Sequence, residues 1–250
     1  MDLEILIPTS LSEIPLVRYQ KFVEMQEKSN DEELIANKMI QIFCGLELKE
    51  VLKIKLTDLN ELIVHFNQIF SNKPLLKRRF KIKDIEFGFI PNLENITFGE
   101  YVDLEKHLSN WKTYHKAMAV MYRPIKETFQ DKYSIVDYEI NEDMQELMKY
   151  APLDVAISSS VFFYHLGSEL LNHTMTYLQQ ETKKLMISQN SQKGHNSQSS
   201  GDGIKASISV LEEMSVDLTR LQDYHLLNVS PISPSKSKKQ KLKTEKLNAK

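Results

Sequence analysis

The sequence predicts a mainly α-helical protein with a small β element, an α+β fold in which helices supply most of the core. Three observations support this fold class. The 250 residues include only seven glycines and eight prolines, so few positions interrupt a helix. Apolar residues recur at helical spacing through most of the chain. One stretch near residues 77–90 instead alternates polar and apolar side chains, which is typical of a β-hairpin with one buried face.

The first 72 residues predict a series of short helices. Pro15 suits the first turn of the first helix. Asn30 or Asp31 caps the second helix, and Gly45 fits the position just beyond its end. A short helix is expected at residues 47–52. The helix after it has one clear apolar face, formed by Leu59, Leu62, Ile63, Phe66, Ile69 and Phe70.

The predicted hairpin pairs residues 79–82 with residues 85–90, and Lys83 and Asp84 form its turn. An isolated hairpin is only marginally stable in water. We therefore expect it to pack on a helix or to pair with a short apolar strand predicted at residues 4–8.

The clearest helix start in the sequence is a capping box formed by Thr97 and Glu100, in which each side chain bonds the other residue's backbone amide. Tyr101, Leu104 and Leu108 follow at i, i+3 and i+7, which is one face of a helix. The next helix carries the single tryptophan, Trp111, and Tyr114. We expect Tyr101, Trp111 and Tyr114 to lie in or beside the core.

The helix of Trp111 is expected to end at Arg123-Pro124. A short strand at residues 133–138 and a helix capped by Asn141 should follow. The longest helical pattern covers residues 153–187. Its first half is apolar nearly all round, which predicts a buried core helix, and its second half becomes polar.

Composition divides the chain into four parts. Residues 1–187 form the predicted globular body, and residues 188–203, rich in Ser, Gln, Asn and Gly, predict a flexible linker. Residues 204–226 recover helical spacing, and residues 227–250 predict a disordered basic tail. An amphipathic helix without a core of its own must dock on the body, pair with a copy or bind a partner. Its predicted partner-binding positions are Ile208, Leu211, Met214, Leu218 and Leu221.

The net charge of −2 is unevenly distributed, because the last 15 residues carry +6 and the preceding residues carry −8. Lysines of this kind can contact an acidic protein surface or neutralise phosphates in a salt-dependent way. The tail is predicted either to make such a contact or to act as a solubilising end. The predicted contact residues are Lys238, Lys239, Lys241 and Lys243.

Several functional classes are disfavoured by the sequence. The single cysteine, Cys44, excludes an intramolecular disulfide and a thiol-based zinc site. No apolar run approaches the roughly 20 residues that a membrane span needs, and the N-terminal residues MDLEILIPTS lack the basic start of a signal peptide. These features predict an intracellular protein that has no contact with a membrane.

No catalytic, metal-binding or nucleotide-binding motif is present, so no cofactor is predicted. An enzyme of unfamiliar type that uses Asp103, His107 and His115 is the weakest hypothesis, because ordinary structural roles account for all three. The serines at 158–160 are predicted to be small packing residues. The basic run Lys77-Arg78-Arg79 beside Phe80, Phe87 and Phe89 could form a stacking platform for nucleic acid, but a hairpin with a core face is favoured.

Two stretches resemble phage proteins. An IPTSL-type opening precedes VRYQKFVEMQE (residues 17–27) and SNDEELIANKMIQIFCGLELKEVLKIKLTDLNELIVHF (residues 29–66). Together they resemble the small assembly proteins of tailed bacteriophages, namely baseplate-hub assembly proteins and tail assembly chaperones. Residues 97–125, TFGEYVDLEKHLSNWKTYHKAMAVMYRPI, are similar to proteins of crAss-like phages of gut Bacteroidetes. Residues 125–250 have no counterpart in these families.

The resemblance implies a non-enzymatic phage protein in tail or baseplate assembly, or a minor structural or packaged virion component. It would act in the host cytoplasm during assembly or in the virion. Its partners would be tail, baseplate or capsid proteins, with weak contact to packaged DNA through the tail, and it could be oligomeric within the assembly. The alternative is a nucleic-acid-binding accessory protein that uses the lysine tail, although the acidic body would repel phosphate.

Overall fold

The computed structural model describes residues 6–72, 74–191 and 229–232. Within these residues the chain forms eight α-helices and a four-stranded antiparallel sheet, which confirms the mainly α fold with a small β element. The first four helices are α1 (Leu16–Gln26), α2 (Glu32–Cys44), α3 (Leu48–Val51) and α4 (Leu56–Ser71). The other four are α5 (Phe98–Leu108), α6 (Tyr114–Met121), α7 (Glu142–Met148) and α8 (Leu153–Ser191). The strands are β1 (Arg79–Ile82), β2 (Ile85–Phe89), β3 (Tyr122–Phe129) and β4 (Lys132–Ile135).

The predicted caps fix several helix ends. The Asp31 carboxylate accepts the N–H groups of Glu33 and Leu34 at the start of α2. At its end, Gly45 has φ +71°, a left-handed conformation that a residue with a Cβ seldom adopts. Asn141 caps α7 through the N–H of Met144. Local sequence therefore sets these boundaries, as predicted.

The hairpin is confirmed, and of the two expected alternatives it packs on a helix, because the Phe89 ring lies 5.6 Å from the Phe162 ring of α8. Residues 6–8 are not in a strand. In the sheet order β1-β2-β3-β4, β2 also pairs with β3. Strand β3 was not predicted. The helix does end before Arg123-Pro124, but Tyr122 continues directly into the strand without a turn residue to mark the change. Pro124 lies opposite Phe87, and its carbonyl accepts the N–H of Val136 at 3.0 Å.

The core lies between the helices and one face of the sheet, and aromatic rings form its centre. Phe43 of α2 lies 5.3 Å from Phe22, 5.4 Å from Phe66 and 5.3 Å from Phe70 between ring centroids. All six apolar residues predicted for one face of α4 are buried. Trp111 and Tyr114 are buried as well, which confirms the prediction for these two residues.

The long helix α8 is buried over a shorter length than the sequence suggests. Residues 153–160 are almost entirely within the core, which agrees with the prediction for the start of the helix. Leu166 and Leu170 are exposed, so the prediction of a buried first half is wrong for these positions. The helix continues to Ser191 and includes the first four residues of the predicted linker.

Residues 229–232 return to the body, which differs from the prediction that residues 227–250 form a disordered tail. Val229 belongs to the core cluster, and Ile232 packs against it. The predicted helix at 204–226, the rest of the predicted linker and the tail lysines lie outside the described residues.

Candidate interaction site

Helix α5 exposes an apolar face to solvent. Phe98 is 83% exposed, Tyr101 52% and Val102 41%. Because residues at i, i+3 and i+4 are neighbours on a helix surface, these three side chains form one patch, called here the α5 face. The prediction that Tyr101 lies in or beside the core is therefore wrong.

The opposite side of α5 buries a charged residue. Glu100 is only 4% exposed, and Leu104, one turn later, is buried beside it. The Glu100 carboxylate accepts the Thr97 N–H at 2.6 Å and forms an ion pair with Arg123 of β3 at 2.6 Å. A buried carboxylate needs such partners to offset the loss of hydration. The capping box is thus confirmed, and it also contributes to the contact between the helix and the sheet.

A third side of α5 is covered by Tyr138. Its hydroxyl donates a hydrogen bond to the Asp103 carboxylate, and its ring lies 5.8 Å from the Arg123 guanidinium carbon. Burial and the adjacent Asp103 carboxylate both raise the pKa of Tyr138, so the phenol keeps its proton and remains a donor. With Glu100, Leu104 and Asp103 all engaged, the helix is held in one rotation about its axis. The α5 face consequently points outward.

Helix α4 carries a second interaction, with the C-terminal segment. Asn60 donates to the Ile232 carbonyl at 3.1 Å and accepts the Ile232 N–H at 2.8 Å. Asn67 donates to the Val229 carbonyl at 2.9 Å. Seven helical residues rise about 10.5 Å, and three extended residues cover about 10 Å. The two asparagines are therefore spaced to hold an extended segment that runs antiparallel to α4.

The three residues of the enzyme hypothesis have separate structural partners. His115 Nδ1 lies 3.0 Å from the Gln20 amide nitrogen, which also donates to the Trp111 carbonyl at 2.8 Å. His107 Nδ1 lies 3.1 Å from the Thr113 hydroxyl, and Asp103 accepts from Tyr138. In the described parts of the chain, no group of three or more His, Cys, Asp or Glu residues is arranged to hold a metal ion.

Burial governs the protonation of His115. It lowers the pKa of this histidine to about 4, and the positive charge of Lys149 adds to the effect. The imidazole is therefore neutral at pH 7, and Nδ1 can accept the Gln20 N–H. This bond joins α1 to α6 within the core.

The serines of α8 are packing residues, as predicted. Ser158, Ser159 and Ser160 are all buried. The Ser159 hydroxyl lies 3.0 Å from the Tyr114 hydroxyl and donates to the Ala156 carbonyl at 2.9 Å. These bonds satisfy small polar groups where the helix lies close to α6.

The hairpin does not form a nucleic-acid platform. Phe80, Phe87 and Phe89 are buried, and Phe80 stacks on Phe87 with centroids 5.4 Å apart. In the adjacent basic run, Lys77 pairs with Asp154, and the Arg79 guanidinium lies 4.5 Å over the Tyr133 ring. The stacking alternative is wrong, and the favoured hairpin with a core face is confirmed.

The partner-binding residues predicted from sequence all belong to residues 204–226 and the lysine tail, outside the described residues, so they stay predictions. The α5 face was missed. Its signal in the sequence is that apolar residues surround most of α5. Phe98 and Val102 lie on the side away from Leu104, with Tyr101 between the two sides, and a helix packed on a single surface cannot bury all of them.

Comparisons with protein-family models, curated proteins and solved structures found no match to this chain. Across the described helices, none has the length and apolar character required to cross a membrane.

Proposed function

We propose that this chain is a non-enzymatic binding protein that assembles with another protein through the α5 face. The observation that carries the proposal is the inverted burial of α5, which places Glu100 inside and Phe98 outside. A single exposed apolar residue needs no explanation, but a group of three on a rotationally fixed helix is typical of an interaction surface. Aromatic side chains are also enriched among the residues that contribute most to binding.

The partner should present an apolar groove that accepts an aromatic side chain. Phe98 stands at the first position of α5, where its ring projects beyond the helix surface. Val102 and Tyr101 flank it one turn later, and the Tyr101 hydroxyl offers a hydrogen bond at the rim. The exposed Glu105 adjoins the patch, so a basic residue at the partner's rim would complement it.

The test compares a variant of the α5 face with a matched surface control. The double variant F98S/Y101S removes both exposed rings, and F129S removes a ring of intermediate exposure (74%) from the end of β3. Each tagged protein is expressed in its native setting and purified, and the associated proteins are identified by mass spectrometry. We expect a partner that co-purifies with the unaltered chain and F129S but is lost with F98S/Y101S. Retention of the same partner by both variants would overturn the proposal.

We further propose the setting that the phage resemblance implies, which is tail or baseplate assembly or a minor component of the virion. Mass spectrometry of purified phage particles beside the infected-cell lysate tests this setting. A stable copy number in particles indicates a virion component, and presence in the lysate without the particles indicates an assembly factor. Absence from both would exclude the phage setting. The binding role of the α5 face would still be tested independently by the F98S/Y101S co-purification experiment.

A further inference from the structure

A cavity of about 460 Å³ lies between helices α1 and α2. Its lining on α1 consists of Arg18, Lys21 and Met25, which recur at i, i+3 and i+7 and therefore share one face of the helix. Cavities that bind small molecules typically measure about 300–1,000 Å³, so this one is large enough for a ligand. The remaining lining residues belong to α2 or directly follow it: Lys38, Gln41, Ile42, Gly45 and Leu46.

The charge of this lining is one-sided. It includes three cations, Arg18, Lys21 and Lys38, and no carboxylate. Within the described parts of the chain, no ion pair involves any of the three. The first 235 residues together carry a net charge of −8, so the cavity departs from the acidic character of the chain around it. Because like charges three residues apart on a helix repel one another, an anion in the cavity would relieve the repulsion between Arg18 and Lys21.

The Arg18 guanidinium is held in place at the end of α2. Its Nη1 donates to the Phe43 carbonyl at 2.7 Å, one of the carbonyls that a helix leaves without an intrahelical partner at its C-terminus. Gly45 makes room for this arrangement, since a Cβ at that position would lie 3.1 Å from Arg18 Nη2. A guanidinium has several N–H donors, so the bond to Phe43 leaves most of them available to a ligand.

The bond to Phe43 does not account for the two lysines of the cavity. Lys38 is half-buried, and its ammonium donates to the Gln41 side-chain oxygen at 2.8 Å. Lys21 is exposed, and neither lysine contributes to the cap of α2. An ammonium has more than one N–H donor, so Lys38 can bond Gln41 and an anion together.

The rest of the lining is mainly apolar. Met25, Ile42 and Leu46 are half-buried, and all three also pack against the core cluster. Apolar surface that a ligand removes from water adds affinity. A ligand of matching chemistry therefore combines a charged group with a short apolar portion.

We propose that this cavity binds an organic anion, a carboxylate or phosphate joined to a short apolar portion. Arg18, Lys21 and Lys38 form charge-assisted hydrogen bonds with the anionic group, and Met25 and Ile42 contact the apolar portion. Both a free small molecule and an acidic side chain of another protein have this chemistry. The inference is independent of the α5 proposal, because the cavity is lined entirely by α1, α2 and the two residues after α2.

Two probes of equal chain length, hexanoate and hexanol, test whether the charged group is recognised. Each is titrated into the full chain, and the backbone amides of Gly45 and Leu46 are followed by NMR. We expect hexanoate to give saturable shifts. Hexanol should bind about tenfold more weakly, because it lacks the charge-assisted hydrogen bonds. The absence of a saturable shift with hexanoate, or equal affinity for hexanol, would overturn the proposal.

A pair of variants places the binding in this cavity. K21Q/K38Q removes both ammonium groups and leaves the Arg18 guanidinium in place. The matched control K106Q/K126Q removes two exposed lysines that do not line the cavity, so both proteins change net charge equally. We expect the affinity for hexanoate to fall about tenfold in K21Q/K38Q and to stay unchanged in the control. An equal loss in the two variants, or no loss in either, would show that the probe binds elsewhere and would overturn the proposal.

A third probe identifies the source of the anion. The capped tripeptide leucyl-glutamyl-leucine presents a carboxylate on a protein backbone, and its glutamine analogue is the control. Tighter binding of the glutamate peptide than of hexanoate would support an acidic side chain of a partner protein, whereas tighter binding of hexanoate would support a free small molecule. If the peptide and its glutamine analogue bind equally tightly, the cavity does not recognise the charged group, and the proposal is overturned.

Discussion

Helices α4 and α5 are both amphipathic in sequence, yet burial follows the apolar residues throughout α4 and only in part in α5. In α4, the burial follows hydrophobicity, and all six residues of the apolar stripe are in the core. In α5, Glu100 is inside while Phe98 and Tyr101 are outside. Hydrophobic spacing therefore identifies the buried face when a helix has one apolar stripe. When apolar residues lie on more than one side, as in α5, a specific partner elsewhere in the fold decides which side is buried.

For α5 that partner is Arg123. Its guanidinium reaches α5 from the first residues of β3 and pairs with Glu100. The pair fixes the side of α5 that faces the sheet, and Leu104 is buried on that side. The side of α5 that carries Phe98 and Val102 is consequently exposed to solvent and available to a partner.

The largest expected effect contrasts the phenylalanines of the two helices. F66A should destabilise the protein by about 3–5 kcal/mol, because it removes a fully buried ring and leaves a cavity. F98A should change the free energy of unfolding by less than about 0.5 kcal/mol, because its ring is in solvent. Urea denaturation followed by the fluorescence of Trp111 measures both. Similar losses in the two variants would contradict the contrast.

The buried ion pair should come next. E100Q leaves the Arg123 charge buried without its counter-charge, and we expect a loss of about 3 kcal/mol. R123M should lose a similar amount, and the double variant should lose less than the sum of the two. A double-mutant cycle by urea denaturation gives the coupling. The exposed pair of Glu24 and Lys28 serves as a control, because E24Q should leave the denaturation midpoint unchanged.

Acid should weaken the hydrogen bond between Gln20 of α1 and His115 of α6. Burial and the charges of Lys149, Lys116 and His107 lower the folded-state pKa of His115 to about 4, against the opposing effect of Glu146. The unfolded chain, with a pKa near 6.5, therefore binds the proton first. Stability is complete above about pH 6.5 and falls as the pH decreases toward about 4. The full loss is on the order of 2–3 kcal/mol, since one pKa unit corresponds to about 1.4 kcal/mol.

The measurement for His115 is the free energy of unfolding between pH 7 and pH 5, above the range in which most carboxylates titrate. H115Q retains a group that can accept the Gln20 N–H but does not titrate. Its stability should vary less with pH over this interval than that of the unaltered chain. An identical slope in both proteins would show that His115 does not control the acid response.

A smaller loss of stability is expected when the contact between α4 and residues 229–232 is weakened. N60A removes two hydrogen bonds to Ile232 and should cost about 1–2 kcal/mol. The Ile232 amide should also exchange faster with solvent in this variant. Q68A, at an exposed position on the same helix, is the control and should alter neither property. If Ile232 exchange is unaffected by N60A, the asparagine does not hold the segment.

The smallest effect concerns the starts of the two helices. T97A removes the side-chain cap of α5 and should cost about 1 kcal/mol. Helix α4 has Lys55 at the corresponding position and no side-chain cap. T57A in its first turn should therefore leave stability nearly unchanged, as measured by thermal or urea denaturation. If T57A reduces the free energy of unfolding as much as T97A does, the side-chain cap of α5 does not distinguish the two helix starts.

Much of the fold could be predicted because its signals are local. Asp31, Gly45, Thr97 and Asn141 end or begin helices through bonds to residues within a few positions of themselves. The hairpin could be predicted for the same reason, since its two strands are adjacent in sequence. Strand β3 could not be predicted, because its pairing with β2 joins Phe87 to Pro124, and two helices lie between these residues in the chain.

The candidate site was harder to predict than the fold. Exposure of Phe98 depends on Arg123, 25 residues away, and the anchor of Val229 depends on Asn67, 162 residues away. Residues 227–250 are polar and basic in overall composition, and this composition does not reveal the two apolar residues Val229 and Ile232 within them. These two residues contact the core because α4 presents amide groups at the matching spacing.

Periodicity and hydrogen bonds between near neighbours were sufficient to predict the helical class, most helix boundaries, the hairpin and the apolar stripe of α4. Only the folded chain establishes which side of α5 is buried, how the sheet is completed and where the C-terminal segment returns, because these features depend on contacts between residues distant in the chain. Their energies arise only when folding brings Glu100 to Arg123 and Asn60 to Ile232.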